Sequence, residues 1–168
     1  FAKASTSVTV AKSGGDYTTV TSALNAVSSG TIIYIKNGTY KEKITVSKSN
    51  ITFIGDSNTS TILTYSDSSS AAGGTTASAS VTISASGFRA ENIYFKNDFD
   101  YDNSSVSNKQ AVAVVCKADQ ASFYNCRFHS HQDTLELWSG TGRQYFSGCT
   151  IEGCVDFIFG NGTGLFEN

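Results

Sequence analysis

The chain has no proline and no methionine, and only 15% of its 168 residues are charged. Its turns are therefore built without proline, which is unusual where strands dominate. No run of about 18 apolar residues occurs, so no segment can cross a bilayer as a helix. The formal net charge is −2. Basic faces and basic amphipathic helices are lacking too, which argues against nucleic-acid binding and against a membrane-surface helix. The opening FAKASTSVTV lacks the apolar core of a signal peptide, and the expectation is that any such peptide has already been removed. Cysteine is sparse: Cys116, Cys126, Cys149 and Cys154 show no zinc-ligand spacing. The four permit three full pairings. Cys126 and Cys149 are expected to be buried thiols, with disulfides left open.

Serine, threonine, asparagine and glycine stand where many proteins carry lysine and glutamate. That bias favours strands and turns, and the length suits one domain with a real core. One helix is predicted over 17–27, with Val20, Ala23, Leu24 and Val27 on one face and Thr18 or Thr19 as its cap. Short strands are predicted at 31–35, 43–46, 51–54, 62–64, 81–84, 89–95, 111–115, 122–128, 144–146 and 155–159. Segment 66–80, SDSSSAAGGTTASAS, is low in complexity and is expected to be a flexible rim loop. Sequons begin at Asn37, Asn50, Asn58, Asn103 and Asn161. Each is a candidate glycan site in a secreted protein.

Two kinds of repeat run through these strands. The element Asn50-Ile51-Thr52-Phe53 returns as Asn92-Ile93-Tyr94-Phe95, as Asn125-Cys126-Arg127-Phe128, and as Gly148-Cys149-Thr150-Ile151. Its apolar positions should point inward, and its Asn or Gly should take the left-handed conformation at a sharp bend. Stacked Asn side chains can also bond one another along the ladder. The second repeat aligns FYNCRFHSHQDTL, from Phe123, with YFSGCTIEGCVDFIFG, from Tyr145. The offset of 149 − 126 = 23 also carries Phe123 to Phe146 and Asp133 to Asp156. A period of this length is one coil of a solenoid, with the helix capping one end. Stacked coils would set Asp133 and Asp156 about 4.8 Å apart along the backbone. Two carboxylates so close resist ionising together, the usual setting for acid, base or nucleophile chemistry.

The chain resembles pectin methylesterases. The likeness rests on Gly15-Asp16-Tyr17-Thr18-Thr19-Val20, on Tyr34 to Glu42 (YIKNGTYKE), on Ile51-Thr52-Phe53-Ile54-Gly55 and on Gln110-Ala111-Val112-Ala113. It is strongest in Gln132-Asp133-Thr134-Leu135 and Asp156-Phe157-Ile158-Phe159-Gly160. The resemblance implies an all-β fold, a right-handed parallel β-helix, formed by residues 1–168 as one domain that appears truncated on its C-terminal side. It implies a secreted or cell-wall hydrolase that demethylates polygalacturonate, without metal or organic cofactor. Asp156 then corresponds to the nucleophile, Asp133 to the general acid and base, and Gln110 and Gln132 to the oxyanion-stabilising pair. Thr75 and Phe159 correspond to substrate-binding positions.

Two features depart from the family. An aromatic residue directly follows the QDTL motif in the family, where this chain has Glu136. The family's later Leu-Gly-Arg-Pro-Trp motif, whose Arg orients the nucleophile, has no match here. Missing C-terminal coils, or self-association at an open strand edge, are the corresponding expectations, with Arg143 the first stand-in for that Arg. Two rival readings are a β-helix glycosidase acting on pectin, which also uses paired carboxylates, and a non-catalytic pectin-binding β-helix. Gln110 and Gln132 could instead form a structural amide ladder. His129 and His131 read as rim residues, Trp138, Arg143 and Tyr145 as packing or rim residues, and Asp98, Asp100 and Asp102 as a solvated acidic turn.

Overall fold

The computed structural model describes residues 6–138, 140 and 142–168. Strand β1 (Ser7–Val10) is followed by helix α1 (Val20–Ala26). The chain then winds through coils that each supply three strands. The first holds β2 (Ile32–Ile35), β3 (Gly38–Lys41) and β4 (Ile44–Val46). The second holds β5 (Thr52–Gly55), β6 (Thr61–Tyr65) and β7 (Val81–Ile83), with a short helix α2 (Ser69–Ala72) between the last two. Next come β8 (Arg89–Glu91), β9 (Tyr94–Asn97) and β10 (Val114–Cys116), then β11 (Ala121–Tyr124), β12 (Arg127–His129) and β13 (Leu135–Leu137). Strands β14 (Arg143–Ser147), β15 (Thr150–Glu152), β16 (Ile158–Gly160) and β17 (Thr163–Glu167) follow.

Equivalent strands of successive coils pair in parallel. The first strands form a seven-stranded sheet, β1-β2-β5-β8-β11-β14-β17. The second strands form a sheet in the order β15-β12-β9-β6-β3, and the third strands one in the order β16-β13-β10-β7-β4. Every named pairing is parallel, so the molecule is a three-sheet parallel β-helix. Ile32 pairs with Thr52, a step of 52 − 32 = 20, and Ser122 with Tyr145, a step of 145 − 122 = 23. The steps from Thr52 to Arg89 (89 − 52 = 37) and from Arg89 to Ser122 (122 − 89 = 33) are longer because each coil carries an inserted loop.

Sharp corners join the sheets, and each is a column of left-handed residues. Gly30, Asn50, Gly87 and Gln120, with φ of 82°, 58°, 76° and 56°, lead into the first sheet. Asn92, Asn125 and Gly148, with φ of 56°, 49° and 59°, turn the chain from the first sheet to the second. Asp133 and Asp156, with φ of 66° and 45°, lead into the third. Gly and Asn hold this conformation at least cost, and Asp tolerates it. The Asn ladder forms where expected, with Asn125 Nδ2 donating to Asn92 Oδ1 at 2.7 Å. Asn50, however, belongs to a different corner from Asn92. The 42-residue interval between them (92 − 50 = 42) is therefore one coil of 37 plus the five residues between Gly87 and Asn92 (92 − 87 = 5). Two corners needing the same backbone shape had produced the same local sequence.

The bends also divide two predicted strands. Segments 89–95 and 122–128 are each two strands broken at Asn92 and Asn125. The helix is shorter than its periodicity implied, starting at Val20 under a Thr19 cap that accepts from Ser22 N at 3.2 Å. The Glu42 carboxylate accepts from Val20 N and Thr21 N, both at 2.9 Å, an anion at the helix's positive end. Segment 66–80 is not a flexible loop. It folds into α2 and a 3-10 turn, Thr76–Ser78, and Ser80 N donates to Val112 O at 3.0 Å.

The core is a file of stacked aromatic and aliphatic side chains. Ile51, Phe53, Ile93, Phe95, Cys126 and Phe128 all point inward and are buried. Phe123 and Phe146 stack with ring centroids 4.8 Å apart, and Phe123 also meets Phe88, Phe95 and Phe128 edge-on or tilted. Phe123 is wholly buried among these rings. Phe123→Ala should cost about 3–5 kcal/mol, read as a lower urea midpoint with unchanged slope. A loss under about 1 kcal/mol would show that the file can close over the gap.

Candidate active site

The third corner places the two aspartates. Leu135 pairs with Ile158, which puts Asp133 opposite Asp156 by register (135 − 133 = 2, 158 − 156 = 2). The corner is pinned to the coil that follows it. Asp133 N donates to Val155 O at 3.0 Å, Leu135 N to Phe157 O at 3.0 Å, and Thr134 Oγ1 to Glu152 O at 2.9 Å. The left-handed backbone and the ladder bonds together fix where each carboxylate starts. Their surroundings differ. Asp133 is 8% exposed, whereas Asp156 stands exposed in the next coil. Burial pushes Asp133 up to about 6, and the Asp156 charge adds to the rise. The Asp133 carboxyl is thus suited to hold its proton to higher pH than an ordinary carboxylate.

Gln110 and Gln132 come together beside this pair. Ala111 N donates to Gln132 O at 3.1 Å, and Gln132 bridges to Val155 on the other side. No hydrogen bond joins the two amide groups among the described residues, and Gln110 Oε1 is buried without a partner. A structural amide ladder is therefore absent among the described residues.

The outward face of the third sheet supplies the floor next to the aspartates. Phe159 lies beside Glu136, and Glu136 beside Val115. Phe159 packs on Ala79, Val112 and Val115. The folded 66–80 segment covers this face. Val112 N donates to Ser78 Oγ at 3.0 Å, and Thr76 Oγ1 donates to Glu136 Oε1 at 3.0 Å. Thr75 heads the 3-10 turn, half-buried, next in the chain to the Thr76 that bonds Glu136. Glu136 is only 3% exposed, and its Oε2 has no partner among the described residues. Burial raises its carboxyl, the Thr76 hydroxyl and Lys117 lower it, and Asp133 adds to the rise. Sequence reading had marked Glu136 only as a departure, and it missed Thr76. The bond between them joins residues 60 apart (136 − 76 = 60), and no local pattern announces it.

Other candidates lie elsewhere. Arg143 forks onto Asp119, with Nε and Nη2 at 2.9 and 2.6 Å from its oxygens. That pair sits on the first sheet's side, so Arg143 does not stand in for an arginine beside Asp156. Arg89 and Arg127 are engaged by Glu91 and Glu152. His129 bonds Tyr94 through the ring nitrogen at 3.1 Å, and His131 stacks on Tyr101 with centroids 3.7 Å apart. No group of metal-ligating side chains assembles among the described residues. All four cysteines are free thiols.

The pectinesterase family profile matches residues 7–168. The chain belongs to the pectinesterase family. It is 41% identical over 165 residues to probable pectinesterase A of Aspergillus niger, covering 92% of this chain and 48% of that protein. It is 39% identical to probable pectinesterase/pectinesterase inhibitor 13 of Arabidopsis thaliana, over 95% of this chain and 26% of that protein. Pectin methylesterase from carrot superposes with a TM-score of 0.87 at 36% identity, over 99% of this chain and 52% of that one. A pectin methylesterase solved with a hexasaccharide matches with a TM-score of 0.88 at 35% identity, over 96% and 53% of the two chains. The chain thus spans about half the length of the solved pectin methylesterases it matches, and half or less of these curated relatives. The closing glycine of the DFIFG motif has a clear physical reason. Gly160 has φ of +112°, and a Cβ there would meet Leu137 O at 2.2 Å.

The raised carboxyl of Asp133 has a consequence for stability. A carboxyl held near 6 in the fold and near 3.9 in the unfolded chain binds its proton more tightly when folded. Its stabilising effect is therefore full below about pH 4 and is lost as pH rises through about 6. Asp133→Asn should raise the unfolding free energy by about 1–2 kcal/mol at pH 8 and change it little at pH 4. Urea denaturation at the two pH values checks this, and equal effects at both would contradict it.

Proposed function

We propose that this chain carries the acid, nucleophile and oxyanion groups of a carboxylic ester hydrolase acting on methyl-esterified polygalacturonate. In this reading residues 1–168 form one β-helix unit of a secreted or cell-wall enzyme. The observation that carries it is the register-paired Asp133 and Asp156, with Asp133 buried and its carboxyl raised. Family membership supplies the substrate class, and a relative bound to a hexasaccharide supports a sugar chain as ligand.

The chemistry follows from the placement. The Asp156 carboxylate attacks the ester carbonyl, and the new oxyanion takes hydrogen bonds from the Gln110 and Gln132 amides. One such donor is worth roughly 3 kcal/mol. Collapse expels methoxide, which takes the Asp133 proton and leaves as methanol. The acyl-enzyme anhydride then remains. Asp133, now ionised, accepts a proton from water as that water attacks the anhydride, and Asp156 is released as carboxylate. The proton needed in the first step is lost as pH rises through about 6, so acylation slows above that pH.

A non-catalytic pectin-binding reading draws on one observation. Each of the three arginines is committed to a carboxylate other than Asp156. Methanol release separates the two readings. In the natural-length protein, Asp156→Asn should abolish methanol release from methylated pectin with the far-UV circular dichroism unchanged. Asp133→Asn should lower it at least about a hundredfold. Near-wild-type release by either variant removes that residue from the mechanism, and release of reducing ends in place of methanol would point to a glycosidase.

A further inference from the structure

We propose that Glu136 is a specificity-determining residue, whose charge selects an uncharged uronate methyl ester over a free uronate in the sugar unit lying across the third sheet. This rests on the ester-hydrolase reading and extends it. Leu135 and Leu137 point into the core, so Glu136 between them points outward, toward the face that carries Phe159 and, one corner away, Asp133. It is nevertheless 3% exposed, because the Thr75–Thr76 rim closes over it. A carboxylate at this depth acts through a weakly screening medium, so its field reaches the surface above without contact. One oxygen is fixed by Thr76, and the other is bonded to none of the described residues. The cation that offsets it is Lys117, whose Nζ lies 5.5 Å from the Trp138 ring centroid. The arginines are paired elsewhere, as described above. Counting Asp133 and Asp156 one corner away, three carboxyls share this corner and face with one described lysine. A sugar carrying its methyl ester brings no charge to this face, whereas a demethylated neighbour brings an anion to a surface holding like charge. Rejecting the wrong ligand by repulsion is a general route to selectivity. Product sugars would then be turned away, and the sites chosen would be flanked by esterified units.

The test compares initial methanol release, as kcat/KM, from galacturonate oligomers of high and low methyl-esterification. The protein is the natural-length enzyme, as wild type, Glu136→Gln, Glu136→Met and Thr76→Val. Wild type should favour the highly esterified oligomers by about tenfold beyond their greater number of esters, and the preference should shrink in high salt. Both neutral variants should lose that preference, while Thr76→Val, which keeps the charge, should retain it. Two neutral variants are used so that poor folding of one does not decide the result. The proposal is overturned if the neutral variants keep the wild-type ratio, or if all three variants shift both substrates equally, as a purely structural role would. If wild type releases no methanol from any oligomer, the ester-hydrolase reading itself fails and takes this one with it.

Discussion

Parallel, in-register stacking is the constraint on which this molecule depends. What stands at one corner of a coil stands again one strand spacing along the axis, about 4.8 Å away. The same rule builds the aromatic file through Phe123, Phe146 and Phe166, the asparagine ladder at the second corner and the aspartate pair at the third. In the core, repetition is favourable because like rings stack. At the third corner it sets two carboxylates side by side. Burial of Asp133, with repulsion from Asp156, raises one carboxyl of the pair.

The two aspartates are neighbours by symmetry but not by environment. Asp133 has coils on either side, and its backbone is held by Val155 while Ala111 holds Gln132. Asp156 lies in the last described coil. The folded 66–80 segment adds a second asymmetry by burying Glu136 under Thr76 and setting Phe159 against Ala79 and Val112. Three acidic groups thus share one corner and its adjoining face, each with different exposure and different partners. The proposed division of proton donor, nucleophile and charge filter among them draws on those differences.

Much of this was legible in the sequence. The 23-residue offset from Cys126 to Cys149 holds in the register of the fourth and fifth coils, and both aspartates fall where it puts them. The inward residues and the left-handed asparagines are also as read. What was lost had physical causes. Strands 89–95 and 122–128 were joined because their apolar residues continue through the bend, although Asn92 and Asn125 marked it. Asn50 was grouped with Asn92 because unrelated corners need the same backbone conformation. Strands β1, β3, β13, β15 and β17 escaped notice. They are three to five residues long, and their pairing partners lie in other coils. The order of segment 66–80 was hidden because Ser68, Ser78 and Ser80 are buried, and Ser78 and Ser80 bond residues distant in the chain.

The central claim is that stacking the third corner raises one carboxyl of an aspartate pair. Titration of the Asp133 side-chain carbon by nuclear magnetic resonance tests it directly, in the wild-type protein and in Asp156→Asn. Asp133 should titrate near 6 in the wild type, and lower in the variant because the neighbouring charge is gone while burial remains. An Asp133 that titrates in the ordinary carboxylate range near 4, or whose midpoint does not move when Asp156 is neutralised, would contradict the account.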